Sequence, residues 1–446
     1  MKKSMKTLAL SAAMLAMGAT ANAAVIDLNI YGASAEFLFW NAAAPGFLTS
    51  VRGCSATSQT TSADGKHEIT QGTGCDGGAN TINLRYSAKA SYDGIYAVGN
   101  KYDPTVVAPA TQQCPGLPGQ RKMVNGAGNN GTSCQEVHLG ASDVSGEAFT
   151  QSSEGQVYGM RNGGYVTRYF SGVPTTGLTS YQPVVVPFGF FANNAIKVEK
   201  CVGGAADGAL CTAATAAADC GTGSVCTQKT IDNITREMAV QIFSGNILSW
   251  KDFGASYSVA GDPTNSVYAC LRHAGSGTHA TFDKAVFAGI ANPISGFENT
   301  SSSPYAYFND GGSDEIKCVN GNIGSGTGSA IGAIGYADAD QSVGVSGSSQ
   351  NVVAIKYNGL AGRRSAIRNG AYDFFSNQWL YENPTKTPST SAQHTLITQL
   401  VNFASDPTHI PASKANFWAA ASEMTYNKAD DSAYPAYVGA TTPMIP

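Results

Sequence analysis

"LRHAGSGTHATFDKAVFAGI", Leu271 to Ile290, sets one arginine just ahead of a Gly-Ser-Gly-Thr turn that runs directly into the pattern of an amphipathic helix. Glycines at 275 and 277 let the backbone aim several N–H groups at one point. The hydroxyls of Ser276 and Thr278 add donors, and the helix behind them contributes its positive N-terminal end. Together these features describe a cradle for an anion. Arg272 brings a planar fork whose paired N–H groups match two oxygens of a tetrahedral oxyanion. An ordinary Gly/Ser turn capping a helix is the competing account of the tetrapeptide alone. The sequence contains its own control: "GNIGSGTGSAIG", Gly321 to Gly332, repeats it without an arginine and reads as a loop. Nucleotide hydrolysis is disfavoured, because no lysine follows the last glycine as a P-loop requires. A serine-hydrolase elbow needs G-x-S-x-G, and Ala274 and Thr278 stand at the outer positions.

The chain of 446 residues opens with Lys2, Lys3 and Lys6, continues with the apolar run "TLALSAAMLAMGA" and reaches "ANA" at Ala21 to Ala23. That layout is a secretory signal peptide, residues 1–23, cut after Ala23. No later run approaches the roughly 20 apolar residues of a membrane span, and no cysteine follows the cleavage point to take a lipid. The expected product is exported to the periplasm or the extracellular space. Its formal charge of −4 becomes more negative once three lysines leave with the signal peptide, which argues against a nucleic-acid surface.

Ten cysteines, an even number, suit an oxidising compartment and five disulfides. Cys54 with Cys75 and Cys114 with Cys134 flank polar, Gly-rich excursions that look like stapled surface loops, and Cys270 with Cys318 is the third separated pair. Cys201, Cys211, Cys220 and Cys226 crowd into "KCVGGAADGALCTAATAAADCGTGSVCT", which has almost nothing to bury. Cross-links must supply its order, and its connectivity stays open. Zinc is the competing use of these thiols, disfavoured by the lack of a C-x-x-C pair or a nearby histidine.

Between these loops, strand-like runs alternate with helical patterns, as in α/β domains. "AVIDLNIYGA" from Ala24 is strand-like, and "PVVVPFGFFANN" from Pro183 is a denser strand with a Pro/Gly interruption. "ITREMAVQIFSGNILSW" places Met238, Ala239, Ile242 and Phe243 on one helical face, with Thr235 as N-cap and Gly245 as stop. "HTLITQLVNFASD" repeats that period through Leu396, Ile397, Leu400, Val401 and Ala404. No repeat of 20 to 50 residues is visible, which disfavours a solenoid or propeller.

Several segments jointly resemble the phosphate-binding proteins of phosphate-specific ABC transporters, within the type 2 periplasmic binding proteins. "IYGASAEFLFW" looks like the family's opening strand and loop, "YSAKASYDGI" like its second anion loop, "LGASDVSGEAF" like its third and "LRHAGSGTHATF" like its fourth. "ITREMAVQIFSGNILSWKDFG", "GAIGYADAD" and "IRNGAYDFFSNQWLY" are similar to structural segments of the family. The order covers most of the chain after the signal peptide, and the cysteine loops lie outside it.

Carried over residue by residue, the resemblance implies a ligand shell of Ser91, Asp143, Arg272, Ser276, Gly277 and Thr278, with Ala35, Glu36 and Phe37 donating backbone N–H groups. Ordinary readings stand beside these: Ser91 as a turn residue, Asp143 as a helix N-cap, Arg272 as a surface ion-pair partner. Asp143 is the informative member, since a carboxylate repels a bound oxyanion unless the ligand has a proton to donate. Hydrogen phosphate has one; sulfate at neutral pH does not. Two positions depart from the family pattern. Ala274 stands where the family has an aspartate that would orient Arg272, and Glu36 stands where it has a threonine. A second carboxylate facing a phosphate dianion at 4 Å would cost about 4 kcal/mol at an effective dielectric near 20. The expected resolution is a Glu36 side chain turned out of the cleft while its backbone still donates.

The fold implied is α/β, a two-domain Venus flytrap with disulfide-stapled insertions. Residues 24–182 and 346–446 would form the first domain and 183–345 the second, which carries the cysteine-rich insert at 201–226. Two crossing strands would join them around a cleft that holds inorganic phosphate or a similar protonated oxyanion. The expected protein is a monomeric solute-binding protein with no enzyme activity, cofactor or metal, serving an ABC permease. The alternative is a secreted or surface interaction protein that kept the fold. His273 and His279 flank the turn and are read as incidental.

Overall fold

The computed structural model describes residues 24–78, 80–103, 113–149, 172–288, 306–322, 330–344 and 350–439. The expected signal peptide and most of the second Gly-Ser-Gly-Thr copy lie outside the described residues. The architecture is mixed α/β with several sheets, as the alternation of patterns leads one to expect.

A seven-stranded sheet carries the N-terminal part of the chain. Its centre is Ala24–Gly32, paired in parallel with Asn80–Ala88 on one side and Leu139–Ser142 on the other. Parallel strands need crossover connections, and helices supply them here. Helix α1, Phe37–Ser50, follows the first of these strands, and α2, Ser91–Val98, follows the second. Register decides the rest: Gly32 lies opposite both Ala88 and Ala141, so the three loops that follow leave the sheet side by side. Small ligands of open α/β sheets sit beyond the carboxyl ends of parallel strands. At this corner Gly32 has a φ of 141°, and a Cβ there would meet the Ala141 carbonyl and come within 3.1 Å of the Gly94 Cα. Glycine permits both.

The second sheet is eight-stranded, with the path Asn233–Ile234, Val352–Tyr357, Val184–Asn193, Ala333–Asp338, Tyr268–Arg272, Ala306–Asn309. All of Val184–Asn193 is buried, including Pro187 and Gly189, so the Pro/Gly interruption expected there does not break the strand. Tyr268–Arg272 ends at the arginine of the opening motif and runs parallel to Ala306–Asn309. Helix α3, Arg236–Phe243, has the expected cap, with Thr235 accepting from the Met238 N–H at 3.2 Å. Helix α4, Gly277–Phe282, departs from the amphipathic pattern. Every residue in it is buried, it continues into a π-type turn over Asp283–Phe287, and Phe282 stacks on Tyr336 at 4.1 Å. A helix sealed on all sides must have its polar side chains bonded, and here Thr281 donates to the Gly277 carbonyl at 2.9 Å and Thr278 to Asp143 outside the helix. Beyond these lie α5, Gly312–Val319, and α6, Ala392–Ala404, whose Leu396, Ile397 and Leu400 are buried as their spacing predicts.

Two segments pass from one sheet to the other. Thr179–Tyr181 ends the first sheet and Val184–Asn193 begins in the second; Phe375–Asn377 pairs with the latter and Trp379–Glu382 returns to the former. The Gln378 N–H donates to the Val184 carbonyl at 2.9 Å, tying the two crossings together. The return comes later than residue 346. Val352–Tyr357 pairs antiparallel with Val184–Asn193 and belongs to the second sheet, and Tyr372 and Phe374 pack there as well. The physical reason is packing: Tyr357 and Phe374 close around Phe190 on the second sheet and bury their rings there.

Five disulfides are formed: Cys54–Cys75, Cys114–Cys134, Cys201–Cys220, Cys211–Cys226 and Cys270–Cys318. The crowded cluster resolves into two crossed bridges over a hairpin. Cys201 and Cys226 face each other in its register, yet each bonds a cysteine of the connecting loop. The excursion held by Cys114–Cys134 is more than a surface loop. It sends Arg121, fully buried, to Asp93 on α2 at 2.6 Å, and Tyr31 donates to the other oxygen of that carboxylate at 2.9 Å. This buried ionic cluster fixes the first turn of α2.

Candidate functional site

The site grows from the corner where Gly32, Ala88 and Ser142 end their strands and from the facing end of Tyr268–Arg272. Ser91 is the first residue of α2, and its Oγ accepts from the Asp143 N–H at 3.2 Å. Asp143 follows the strand Leu139–Ser142 directly and is 1 % exposed. From the other sheet, the Thr278 hydroxyl donates to Asp143 Oδ2 at 3.1 Å, and the Tyr92 N–H donates to the Gly275 carbonyl at 3.3 Å. Gly277 stands at the point of closest approach: a Cβ there would overlap Ser91 Oγ and lie 2.7 Å from Asp143 Cβ. Any larger residue would prop the two sides apart.

Arg272 is 1 % exposed and makes its contacts across the same gap. One guanidinium nitrogen reaches Thr278 Oγ1 at 3.4 Å; the other donates to Ser34 Oγ at 3.2 Å and to the Asp310 carbonyl at 2.8 Å. Its Nε has no acceptor among the described residues. A buried donor left without an acceptor costs about 1–3 kcal/mol, which a bound anion would relieve. Ala274, where the resemblance led one to expect an orienting carboxylate, is a buried apolar residue, and the Asp310 carbonyl holds the guanidinium in its place.

The structure therefore brings together Ser91, Asp143, Arg272, Gly277 and Thr278, and joins Ser34 of the first loop to them. The surface ion-pair reading of Arg272 does not hold for a side chain this buried. Ser276 is the N-cap of α4, its Oγ accepting from the His279 N–H at 3.5 Å. Ala35, Glu36 and Phe37 form the turn into α1. The Glu36 side chain is 0 % exposed. The indole of Trp40, one turn along α1, donates to its Oε2 at 2.6 Å and draws it into the interior. His273 and His279 are buried beneath the turn, with His279 Nδ1 2.6 Å from the Tyr336 hydroxyl.

Gln378 is a participant that the sequence reading missed. It is fully buried on the crossing segment, and in the orientation that pairs all its atoms the amide donates to Asp143 Oδ1 at 2.9 Å and Glu36 Oε1 at 3.3 Å. Its oxygen then accepts from Ser376 Oγ at 2.9 Å. The signal available was a polar triplet, Ser376 to Gln378, inside the aromatic run from Tyr372 to Tyr381.

These contacts set the charge of the two carboxyl groups. Burial raises Asp143, while Arg272 and the bonds from Thr278 and Gln378 pull it back, leaving it at about 6. Burial holds Glu36 well above the usual carboxyl range, opposed by the Trp40 bond. With its pKa at about 6, Asp143 is an acceptor at neutral pH.

No protein-family model matches the chain, and no curated protein matches it. Among solved structures it is similar to a putative phosphate ABC transporter substrate-binding protein with bound phosphate from Clostridium perfringens. That likeness has 12 % identity and a TM-score of 0.45, and covers 88 % of this chain and 98 % of the other. An ABC-type phosphate transport receptor from Vibrio cholerae is similar at 12 % identity and TM-score 0.39, over 84 % of this chain and 93 % of its own. A possible phosphate binding protein from Planctomyces limnophilus follows at 11 % identity and TM-score 0.33, over 87 % and 89 %.

Proposed function

We propose that this protein captures inorganic phosphate, or a similar protonated tetrahedral oxyanion, between its two sheet-centred units and delivers it to an ABC permease outside the cytoplasm. The observation that carries this reading is the meeting of Asp143 with Arg272 and Thr278 in one buried spot. Arg272 and the Gly-Ser-Gly-Thr backbone supply donors for the oxygens of an anion. Asp143, ionised at neutral pH, supplies an acceptor that only a protonated ligand satisfies. Sulfate would leave that acceptor unpaired and face a like charge, a penalty of several kcal/mol in a site closed to water. Arsenate has nearly the same shape and protonation and should compete.

The two crossing segments would act as the hinge, with the units closing as domains around the ligand. Residues 1–23 would serve as the signal peptide, and the protein would work as a monomer without cofactor. Calorimetry on the full mature chain, unfolded, stripped of ligand and refolded, tests the reading. Stoichiometric phosphate binding at pH 7.5 with sulfate at least a hundredfold weaker supports it; equal affinities, or none, refute it.

A further inference from the structure

One of the two crossing segments meets the anion acceptor at Gln378. This residue stands between Phe375–Asn377, which pairs in the second sheet, and Trp379–Glu382, which returns to the first. Its backbone N–H donates to the Val184 carbonyl at 2.9 Å, so the other crossing holds its main chain. The side chain is fully buried. The two N–H bonds of its primary amide reach two carboxyl groups, Asp143 Oδ1 at 2.9 Å and Glu36 Oε1 at 3.3 Å, while its oxygen takes the Ser376 hydroxyl at 2.9 Å. Both ends of the amide are thereby engaged, which fixes the direction of the N–H aimed at Asp143. Glu36 is fixed in turn, because the Trp40 indole holds its other oxygen at 2.6 Å.

The other groups that act on Asp143 come from several elements. Thr278 donates from the second unit and Arg272 attracts from it. Asp431 repels from the C-terminal segment, where its Oδ2 accepts from the Ser145 N–H at 2.8 Å. Glu36 stands behind Gln378, and Tyr86 of the strand Asn80–Ala88 gives its hydroxyl proton to the Ala33 carbonyl at 2.6 Å. Under the proposed hinge, Thr278 and Arg272 would leave Asp143 when the units part, whereas Gln378, on the crossing, would stay. An N–H aimed at a carboxyl oxygen favours its ionised form, and an amide does so without adding a charge that attracts every anion alike. Resting on the phosphate reading above, we propose that Gln378 is a positioning residue that sets ligand selectivity: from the crossing segment it holds Asp143 in place as an ionised acceptor. The demand for a protonated oxyanion is then imposed whether the units are open or closed.

The test follows the Asp143 carboxyl of the ligand-stripped full mature chain by carbon-13 NMR from pH 4 to pH 9, its signal assigned by loss in Asp143→Asn. Methionine matches glutamine in length and has no donor, so Gln378→Met should move the Asp143 midpoint upward by about one pH unit. The pH below which sulfate competes with phosphate, read by calorimetry, should rise with it. In the Asp143→Asn background, Gln378→Met should change the ratio of sulfate to phosphate affinity less than twofold, which a general loosening of the fold would not respect. Should Gln378→Met fail to fold, Gln378→Asn, which keeps the amide but withdraws it by one methylene, carries the same expectation. A midpoint within about 0.3 pH unit of the wild type overturns the inference, as does a selectivity change that persists in the Asp143→Asn background. The titration needs no ligand, so a wild type that binds neither anion overturns the phosphate reading separately.

Discussion

On the first-sheet face of the cleft the ionisable group is a carboxyl group, Asp143, with Glu36 behind it across Gln378; on the second-sheet face it is a cation, Arg272, set beside a nest of backbone and hydroxyl donors. Both faces are buried to the same degree, so burial does not separate them. Their partners do. Arg272 is held by neutral acceptors, Ser34 Oγ, the Asp310 carbonyl and Thr278 Oγ1, and so keeps a full positive charge for an incoming anion. Asp143 is held by neutral donors from Thr278 and Gln378, which leaves it poised near 6 rather than locked in one state. Under the proposed function, the Arg272 face would attract any oxyanion, and the Asp143 face would ask whether that oxyanion has a proton.

The comparison breaks most readily at Arg272. Arg272→Ala should weaken phosphate, arsenate and sulfate alike by about 2–4 kcal/mol, the scale for removing one partner of a buried charge-assisted pair, read by calorimetry. A loss below about 0.5 kcal/mol, on the scale of an exposed pair, would place the arginine outside the site. Asp143 should act on selectivity. With its pKa at about 6, lowering pH through that value converts the acceptor to a donor, so sulfate affinity should rise as pH falls. From the titration alone the rise between pH 7.5 and pH 5 is roughly thirtyfold. Asp143→Asn should bind sulfate at pH 7.5 with that gain already present and lose the pH dependence; competition titrations across that range show either result. The smallest effect belongs to Glu36. Its carboxyl is buried and bonded to the Trp40 indole, and burial pushes its pKa up, so Glu36→Gln should change phosphate affinity less than fivefold and leave its pH profile intact. A larger change that grows with pH would mean that Glu36 is ionised and faces the ligand.

The strands and helices with regular periodicity were legible: Ala24–Gly32, α3 with its Thr235 cap and α6 appear where their patterns lie. The segments that meet at the cleft were legible as motifs because each depends on backbone geometry at a strand end. What sequence did not disclose was set by tertiary packing. Whether Val352–Tyr357 joins the first or the second sheet depends on which face offers Phe190 and Tyr372 to its rings. The direction of Glu36 depends on an indole four residues on, and the replacement for the missing orienting carboxylate is a main-chain carbonyl, to which sequence is blind. Pairing within 201–226 followed from a loop folding back over its hairpin, which spacing leaves undetermined.

Where the five covalent cross-links fall has a mechanical consequence. Cys54–Cys75 and Cys114–Cys134 close loops on the first-sheet side, and Cys201–Cys220, Cys211–Cys226 and Cys270–Cys318 close loops on the second. None bridges the cleft. Oxidation therefore stiffens each jaw while leaving the joint between them to two short stretches of backbone and their hydrogen bonds. The molecule resembles a pair of tongs with reinforced arms and a soft pivot: its covalent armour lies within the arms and puts no cross-link across the gap between them.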